Sequence, residues 1–292
     1  MKIGVLMVRL IPKDIHSKEI LNWKGLHLFH FSGSSCSQKI RIMLNLKCVE
    51  WTSHPIDLTR GENLEPWFMG INPRGLLPVL VMDGAVHIES NDIIEILEKK
   101  FVEPRLIPKG RMTEIRALLK AEDDLHFDIR SLTFRFLTPQ SGVLRGPDIL
   151  GKYNRSGSGL VQGKTDTAKQ REIKYWRGIS TGLSNAGVRQ AVQKFAIEFT
   201  RFEQILTKDR YLFADQFSII DIAWYIYASR LILLGYPLGQ RHPKVFAWFN
   251  RLDKMPGLAA EVAQPATRMP QLIRYQQELQ STGTTLRDII DV

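Results

Sequence analysis

Apolar and polar positions change their rhythm about a third of the way along the chain. Before Val102, short apolar runs alternate with helical spacing: Leu26 to Phe31 reads as a strand, Ser37 to Lys47 as a helix, and Val49 to Leu58 contains a second strand. A helical stretch follows near Asn63 to Met69. Val79 to Met82 and Ala85 to Ile88 then form a hairpin about Asp83-Gly84, a pair that favours tight turns. Ser90 is available to cap a closing helix whose Ile93, Ile94, Leu97 and Phe101 share one face. The predicted order is β-α-β-α-β-β-α, so the shared face must pack on a sheet.

Pro104 and Pro108 flank a short linker, and beyond Gly110 the apolar spacing is helical almost throughout. Ile115, Leu118, Leu119, Leu125, Ile129, Leu132 and Phe136 form one stripe, and Val192, Phe195, Phe199, Phe202 and Leu206 form another. Ser218 and Asp221 have the spacing of a capping box, with Phe217 and Ile222 placed as its staple, which makes Asp221 a structural acid rather than a catalytic one. Pro243 suits a first helical position ahead of Val245, Phe246, Phe249 and Leu252. Residues 139–185 carry six glycines up to Gly163 and read as a mostly irregular insertion, while residues 1–24 read as an extension outside the main fold.

With 292 residues, 44% of them hydrophobic, the chain suits one large or two ordinary domains. No apolar run approaches the roughly 18–20 residues that span a bilayer, so the sequence predicts no membrane segment. Cys36 and Cys48 make neither a disulfide framework nor a metal-ligand pattern, which predicts a reducing, cytoplasmic setting and no metal. The net charge of +10 lies entirely after Pro104, because residues 1–104 hold 12 basic and 12 acidic side chains. Between Pro139 and Gln190 there are nine basic residues against three acids, Asp148, Asp166 and Glu172. That stretch offers only Tyr153, Tyr175 and Trp176 for stacking and contains no nucleic-acid module, so a nucleic-acid partner is disfavoured.

Three stretches carry candidate chemistry. Ser32-Gly33-Ser34-Ser35-Cys36-Ser37 lies at a strand-to-helix turn, where free N–H groups and the helix dipole favour an anion. A hydroxyl there can stabilise a thiolate or merely cap the helix. Cys36 at such a place is either a reactive thiol or an inert one. Pro78, directly before a strand, suits an edge position or a cis Leu77–Pro78 bond that would turn the Leu77 backbone toward a peptide-like ligand. Glu89-Ser90 places an acid and a hydroxyl at a helix start, fitted to an ammonium and a carboxylate or, again, to capping.

The succession of the Ser34 turn, Asp57-Leu58-Thr59-Arg60-Gly61-Glu62, Ile71-Asn72-Pro73-Arg74-Gly75, Leu77-Pro78-Val79-Leu80 and Asp83-Gly84 before Glu89-Ser90 resembles the N-terminal domain of glutathione transferases. Leu212 to Ala223 resembles the capping motif of that family's helical domain. The resemblance implies a thioredoxin-like glutathione-binding domain over residues 25–103, then an all-helical domain over 110–292 that carries the insertion. It further implies that Ser34 donates to the glutathione thiolate, with Ser35 and Cys36 as alternates. Leu77, ahead of Pro78, would pair with the cysteinyl unit, and Glu89 with Ser90 would hold the γ-glutamyl end. Arg74 and Asn63 are candidates for the glycyl carboxylate side. Glutathione would be the cosubstrate and a small hydrophobic or aromatic electrophile the second substrate, in a cleft walled by the helix from Ile115 onward and by Trp224 or Tyr227. A homodimer is implied as well. The Ser34-Ser35-Cys36 run is similar to the zeta class, which includes an isomerase of maleylacetoacetate, whereas Asn72-Pro73-Arg74-Gly75 with Glu89-Ser90 is closer to etherase-like enzymes. A non-catalytic binding protein on the same fold is the competing class.

Overall fold

The computed structural model describes residues 8–138, 147–180, 182–213 and 215–291, and these group into two compact units. Residues 8–104 with 147–180 form the first, and residues 105–138 with those from 182 onward form the second.

The first unit is built on a four-stranded sheet: β1 (Leu26–His30), β2 (Thr52–Pro55), β3 (Val79–Met82) and β4 (Ala85–Ile88), in the order β2-β1-β3-β4. β1 runs parallel to β2, while β3 is antiparallel to both β1 and β4. The β3–β4 turn falls at Asp83-Gly84 as the sequence predicts, with φ of 49° and 77°. Helices α1 (Ser35–Leu46), α2 (Pro66–Met69) and α3 (Ser90–Lys100) complete the β-α-β-α-β-β-α order. Ile93, Ile94 and Leu97 of α3 are buried, as their spacing requires. Two boundaries differ from expectation. α1 begins at Ser35, because Ser34 rather than a later serine caps it. Ser90 is the first residue of α3 instead of its cap, because the turn is made by Glu89.

Neither the extension nor the insertion behaves as the sequence suggests. Leu10, Ile15 and Ile20 are buried in one cluster with Phe29, Val79 and Val81, so residues 8–24 belong to the main fold. The segment also pairs along β4, through Leu10 N–H to Val86 O (2.9 Å) and Ile88 N–H to Val8 O (3.2 Å). This covers what would otherwise be an open sheet edge.

Of the insertion, the described residues 147–180 form α6 (Pro147–Arg155), a small hairpin of β5 (Leu160–Val161) and β6 (Lys164–Thr165), and α7 (Ala168–Gly178); residues 139–146 lie outside those described. The segment is ordered because Tyr153 and Ile173 complete an apolar cluster with Leu64 and Met69, contacts too distant in sequence to be seen from glycine content. It therefore groups with the first unit, not with the helical one. Buried Asp14 fastens extension to insertion, accepting from Gln162 N–H (2.7 Å), Gly163 N–H (2.9 Å) and Ile11 N–H (2.9 Å).

The second unit is helical, comprising α4 (Met112–Asp123), α5 (His126–Phe136), α8 (Asn185–Ile205), α9 (Ile219–Leu233), α10 (Leu238–Arg241), α11 (Pro243–Leu252), α12 (Leu258–Val262), α13 (Met269–Ser281) and α14 (Leu286–Ile290). α9 is apolar all round and is contacted by α4, α5, α10, α11 and α12, the arrangement such a helix needs. Phe195, Phe199 and Phe202 of α8 are buried as their stripe predicts. Trp224 and Tyr227, expected as walls of a substrate cleft, are only 2% and 1% exposed, with Trp224 against Phe199 and Phe202 and Tyr227 against Phe195. Ile115 and Leu119 are likewise buried, so these four side chains form core rather than a wall. Asp221 bears out its structural reading. The capping box with Ser218 is present, and the carboxylate also accepts from Leu212 N–H and Trp248 Nε1, each at 2.9 Å.

Candidate glutathione site

The pairing register gathers the three candidate stretches without further assumption. Phe29 lies opposite Val79 and Val79 opposite Ile88, so these residues form one row across β1, β3 and β4. β1 and β4 leave that row toward the Ser34 turn and Glu89-Ser90, while Leu77-Pro78 enters the antiparallel β3 from the same side. All three stretches therefore sit at one end of the sheet. Two helix N-termini, those of α1 and α3, open there, and both favour negative charge.

At the first of them, Ser34 has extended backbone angles (φ −82°, ψ 118°) and its Oγ accepts from Ser37 N–H at 3.3 Å. The turn is held from behind by Arg41, whose guanidinium donates to Phe31 O and Ser32 O, each at 3.1 Å, and approaches His30 Nδ1 at 3.2 Å. Burial, with the Arg41 and His54 charges beside it, pushes the His30 imidazole down to about 4, so it is neutral near pH 7 and can accept from Arg41. Ser34 and Cys36 are half-buried, whereas Ser35 is buried in the first turn of α1. Burial thus ranks Ser34 and Cys36 above Ser35 as contacts for a ligand. Cys36 and Cys48 form no disulfide.

Leu77–Pro78 is a cis peptide bond, and half-buried Leu77 lies just ahead of the β1–β3 ladder, which ends at Val79. Asn72 and Asn63 shape the approach to it. Buried Asn72 accepts from Arg74 N–H (3.0 Å) through Oδ1 and donates to Leu76 O (2.8 Å) through Nδ2. Asn63 Nδ2 donates to Gly75 O at 2.7 Å. Asn63 is itself buried, with its Nδ2 engaged by the loop. Gly75 has φ +63°, and a Cβ there would lie 2.8 Å from Met69 Sδ and 3.1 Å from Tyr153 Cε2. Only glycine fits at this crowded, left-handed position.

The third stretch is strained. Glu89 has φ +67° and ψ 115°, a left-handed conformation that costs a non-glycine residue of order 1–3 kcal/mol and clusters at ligand sites. Ser90 beside it is buried at the start of α3. Arg74 Nη1 donates to Glu89 Oε1, so its guanidinium stands beside the acid of the third stretch. Its other edge faces Asp166 of the insertion, with Nε to Oδ2 at 3.0 Å and Nη2 to Oδ1 at 2.6 Å. Burial opposes the Arg74 charge, but the two carboxylates outweigh it and hold the guanidinium above its ordinary range. Tyr153 Oη donates to Arg74 O within 2.5 Å. Sequence reasoning gave no site role to Arg41, Asn72, Tyr153 or Asp166, although Asn72 stands in the Ile71–Gly75 run, Tyr153 among the aromatics of the basic stretch and Asp166 among its three acids.

Fold and site together describe a thioredoxin-like domain with two helix N-termini at one end of its sheet, followed in sequence by a helical domain. Residues 33–100 match the family model of the glutathione S-transferase N-terminal domain, and residues 185–251 match that of the C-terminal domain. The chain belongs to the glutathione transferase superfamily. It is 43% identical over 84 residues to glutathione S-transferase 1 of Dianthus caryophyllus, covering 29% of this chain and 38% of that protein. It is 39% identical over 92 residues to a zeta-class glutathione S-transferase of Euphorbia esula, covering 32% and 41%. The chain thus spans about two fifths of the length of those relatives. Against protein LigF of Sphingobium sp. (strain NBRC 103272 / SYK-6), identity is 25% over 264 residues, with 87% of this chain and 99% of that protein covered. The crystal structure of beta-etherase LigF from strain SYK-6 superposes with a TM-score of 0.68 at 24% identity over 81% of this chain and 98% of that one, which shows the shared fold. Among the described residues no helix is long and apolar enough to cross a membrane.

Proposed function

We propose that the protein is a glutathione-dependent transferase in which the glutathione sulfur ionises beside Ser34 and attacks an electrophilic carbon of a hydrophobic or aromatic second substrate. The observation that carries this reading is the convergence of the Ser34 turn, Leu77-Pro78 and strained Glu89-Ser90 at one end of the sheet. The α1 N-terminus and the Ser34 hydroxyl favour the thiolate. Lowering a thiol pKa by two units from its usual value takes about 2.7 kcal/mol of differential interaction, within reach of one hydroxyl contact and a helix dipole. The Leu77 backbone would pair with the cysteinyl unit, and Glu89 and Ser90 would hold the zwitterionic γ-glutamyl end. Rate would come from positioning and thiolate stabilisation, without a covalent enzyme intermediate.

Ether cleavage is the favoured variant, because the similarity to LigF runs through both domains whereas the zeta-class similarity covers about a third of the chain. In that reaction the thiolate forms a carbon–sulfur bond, and the carbon–oxygen bond breaks to release an aryloxide that takes up a proton. A zeta-type isomerisation is the alternative that the Ser34-Ser35-Cys36 run supports. A homodimer in the cytoplasm accords with the family.

The test is calorimetric titration with glutathione followed by turnover of a model electrophile and of an aryl ether. Ser34→Ala should lower kcat/KM about 10- to 100-fold and melt slightly earlier, since it also loses a helix cap worth about 1 kcal/mol. No binding at millimolar glutathione would defeat the proposal in all its variants. Loss of activity in Cys36→Ala, with Ser34→Ala still active, would instead mean thiol exchange.

A further inference from the structure

We infer that a cavity between β2 and α2 is a second binding site, for a small organic ammonium that carries at least one N–H. The inference does not depend on the proposed function. Its starting point is the pairing register: Phe29 of β1 lies opposite His54 of β2, so the two rings stand on one face of the sheet, where Ile20, Ile56 and Ile71 pack with Phe29. A cavity of about 270 Å³ lies there, bounded by the rings of Trp23, Phe29, His54 and Trp67 and by the carboxylate-bearing Glu19.

Trp23, Phe29 and His54 lie within 27° of parallel, with centroids 4.7–5.8 Å apart, while Trp67 tilts 51° to Phe29 at 6.3 Å. The cavity is therefore bounded by rings of two orientations. Aromatic faces carry the negative part of the ring quadrupole and attract a cation placed over them. Trp67, on the short helix α2, is 46% exposed, so its ring is open to a ligand.

Charge points the same way. Glu19 is exposed on the 3-10 turn Lys18–Asn22 and is the one acid or base that bounds the cavity besides His54. The nearest cations in sequence are engaged elsewhere: Lys18 donates to Pro12 O, and the Lys24 charge acts on Asp83. Burial, then the neighbouring His27, holds the His54 imidazole below its ordinary range, so it is neutral near pH 7. His54 Nε2 is 3.0 Å from His27 Nδ1, and His27 Nε2 is 2.9 Å from Lys24 O. A carbonyl oxygen only accepts, so in the neutral pair His27 is protonated on Nε2 and His54 donates from its own Nε2. That leaves His54 Nδ1 as a lone-pair acceptor on a ring that bounds the cavity. Ring faces, a carboxylate and an imidazole acceptor together suit a positive charge with an N–H to give, and the isoleucines suit its hydrocarbon body.

The experiment titrates the full chain with hexylammonium, its neutral isostere 1-hexanol, and hexyltrimethylammonium, which has the charge but no N–H, followed by calorimetry and tryptophan fluorescence. Hexylammonium should saturate one site per chain, about tenfold more tightly than hexanol and about threefold more tightly than hexyltrimethylammonium. Glu19→Gln should weaken hexylammonium about fivefold and leave hexanol unchanged. Trp67→Leu should weaken both cations about fivefold; the exposed Glu19 carries the comparison if that variant does not fold. Hexanol binding as tightly as hexylammonium would reduce the cavity to an apolar crevice and overturn the inference, as would unchanged hexylammonium affinity in both variants. Hexyltrimethylammonium binding as tightly as hexylammonium would remove the role of His54 and overturn the inference as stated. Affinity should hold when glutathione is added at millimolar concentration. Displacement of the amine by glutathione would put it in the glutathione site, overturning the inference and leaving the transferase reading intact. No binding of any probe at about 10 mM would also overturn it.

Discussion

Replacing Asp221 with alanine removes the acceptor for four hydrogen bonds in a place water does not reach. Its carboxylate receives Leu212 N–H and Trp248 Nε1–H at 2.9 Å, and the Ser218 backbone N–H and Oγ–H at 3.0 Å. The residue is fully buried. The Ser218 hydroxyl can rotate, but two backbone donors and one indole donor cannot, and each buried unpaired donor costs about 1–3 kcal/mol. Allowing for relaxation, the loss is about 3–6 kcal/mol, a large share of the roughly 5–15 kcal/mol that holds a typical domain together. For a unit of this size that corresponds to a fall in melting temperature of roughly 10–20 °C. Asp221→Asn keeps one oxygen acceptor and should lose about half as much. Calorimetric melting with urea titration of each variant is the assay, alongside glutathione affinity measured below the transition. Stability should fall while affinity holds. A melting temperature within a few degrees of wild type, or a loss of turnover with stability intact, would refute the structural assignment of this acid.

Lys47 has a fully buried ammonium 2.8 Å from Glu98 Oε2 that also donates to Phe101 O (2.6 Å) and Pro104 O (2.8 Å). Lys47→Met strips Glu98 of this countercharge and should cost about 3–5 kcal/mol in urea unfolding, partly restored in the double variant with Glu98→Gln. Stability should also depend on acid. Burial first, then neighbouring cations (Arg41 with His54 for His30, Arg9 for His87), push both imidazoles down to about 4. Between pH 6.5 and 4 the unfolded chain therefore binds more protons at these sites than the folded one, so their contribution is complete above pH 6.5 and is lost as pH falls toward 4. Urea midpoints measured across that window should drop on acidification, and less so in His87→Leu; an equal slope in that variant would exclude His87 as a source.

Much of the candidate site could be read from residue order, because its parts are local. A serine before a helix caps it, Asp-Gly makes a tight turn, and Ser218 with Asp221 makes a capping box; each acts over a few residues and leaves its own signature. Position in the site was less accessible. Asn63 and Arg74 read alike as candidates for the glycyl carboxylate side, and the sequence does not show that Asn63 donates to the Gly75 carbonyl or that Arg74 pairs with Glu89. A side chain's destination depends on which acid or carbonyl the folded chain brings near it, and Asp166 lies 92 positions from Arg74.

By itself, then, the sequence determined the β-α-β-α-β-β-α order, the helical second part, the serine turn, Leu77-Pro78 and the Glu89-Ser90 pair, since periodicity, capping and turn chemistry are short-range. Only the tertiary structure decided that residues 8–24 complete the core and cover β4, that the glycine-rich insertion folds onto the first unit, and that Trp224 and Tyr227 are core. These are matters of burial and long-range pairing. A glycine-rich or terminal segment is ordered when distant apolar surface and unpaired backbone groups are available to receive it, and its own composition does not report that they are.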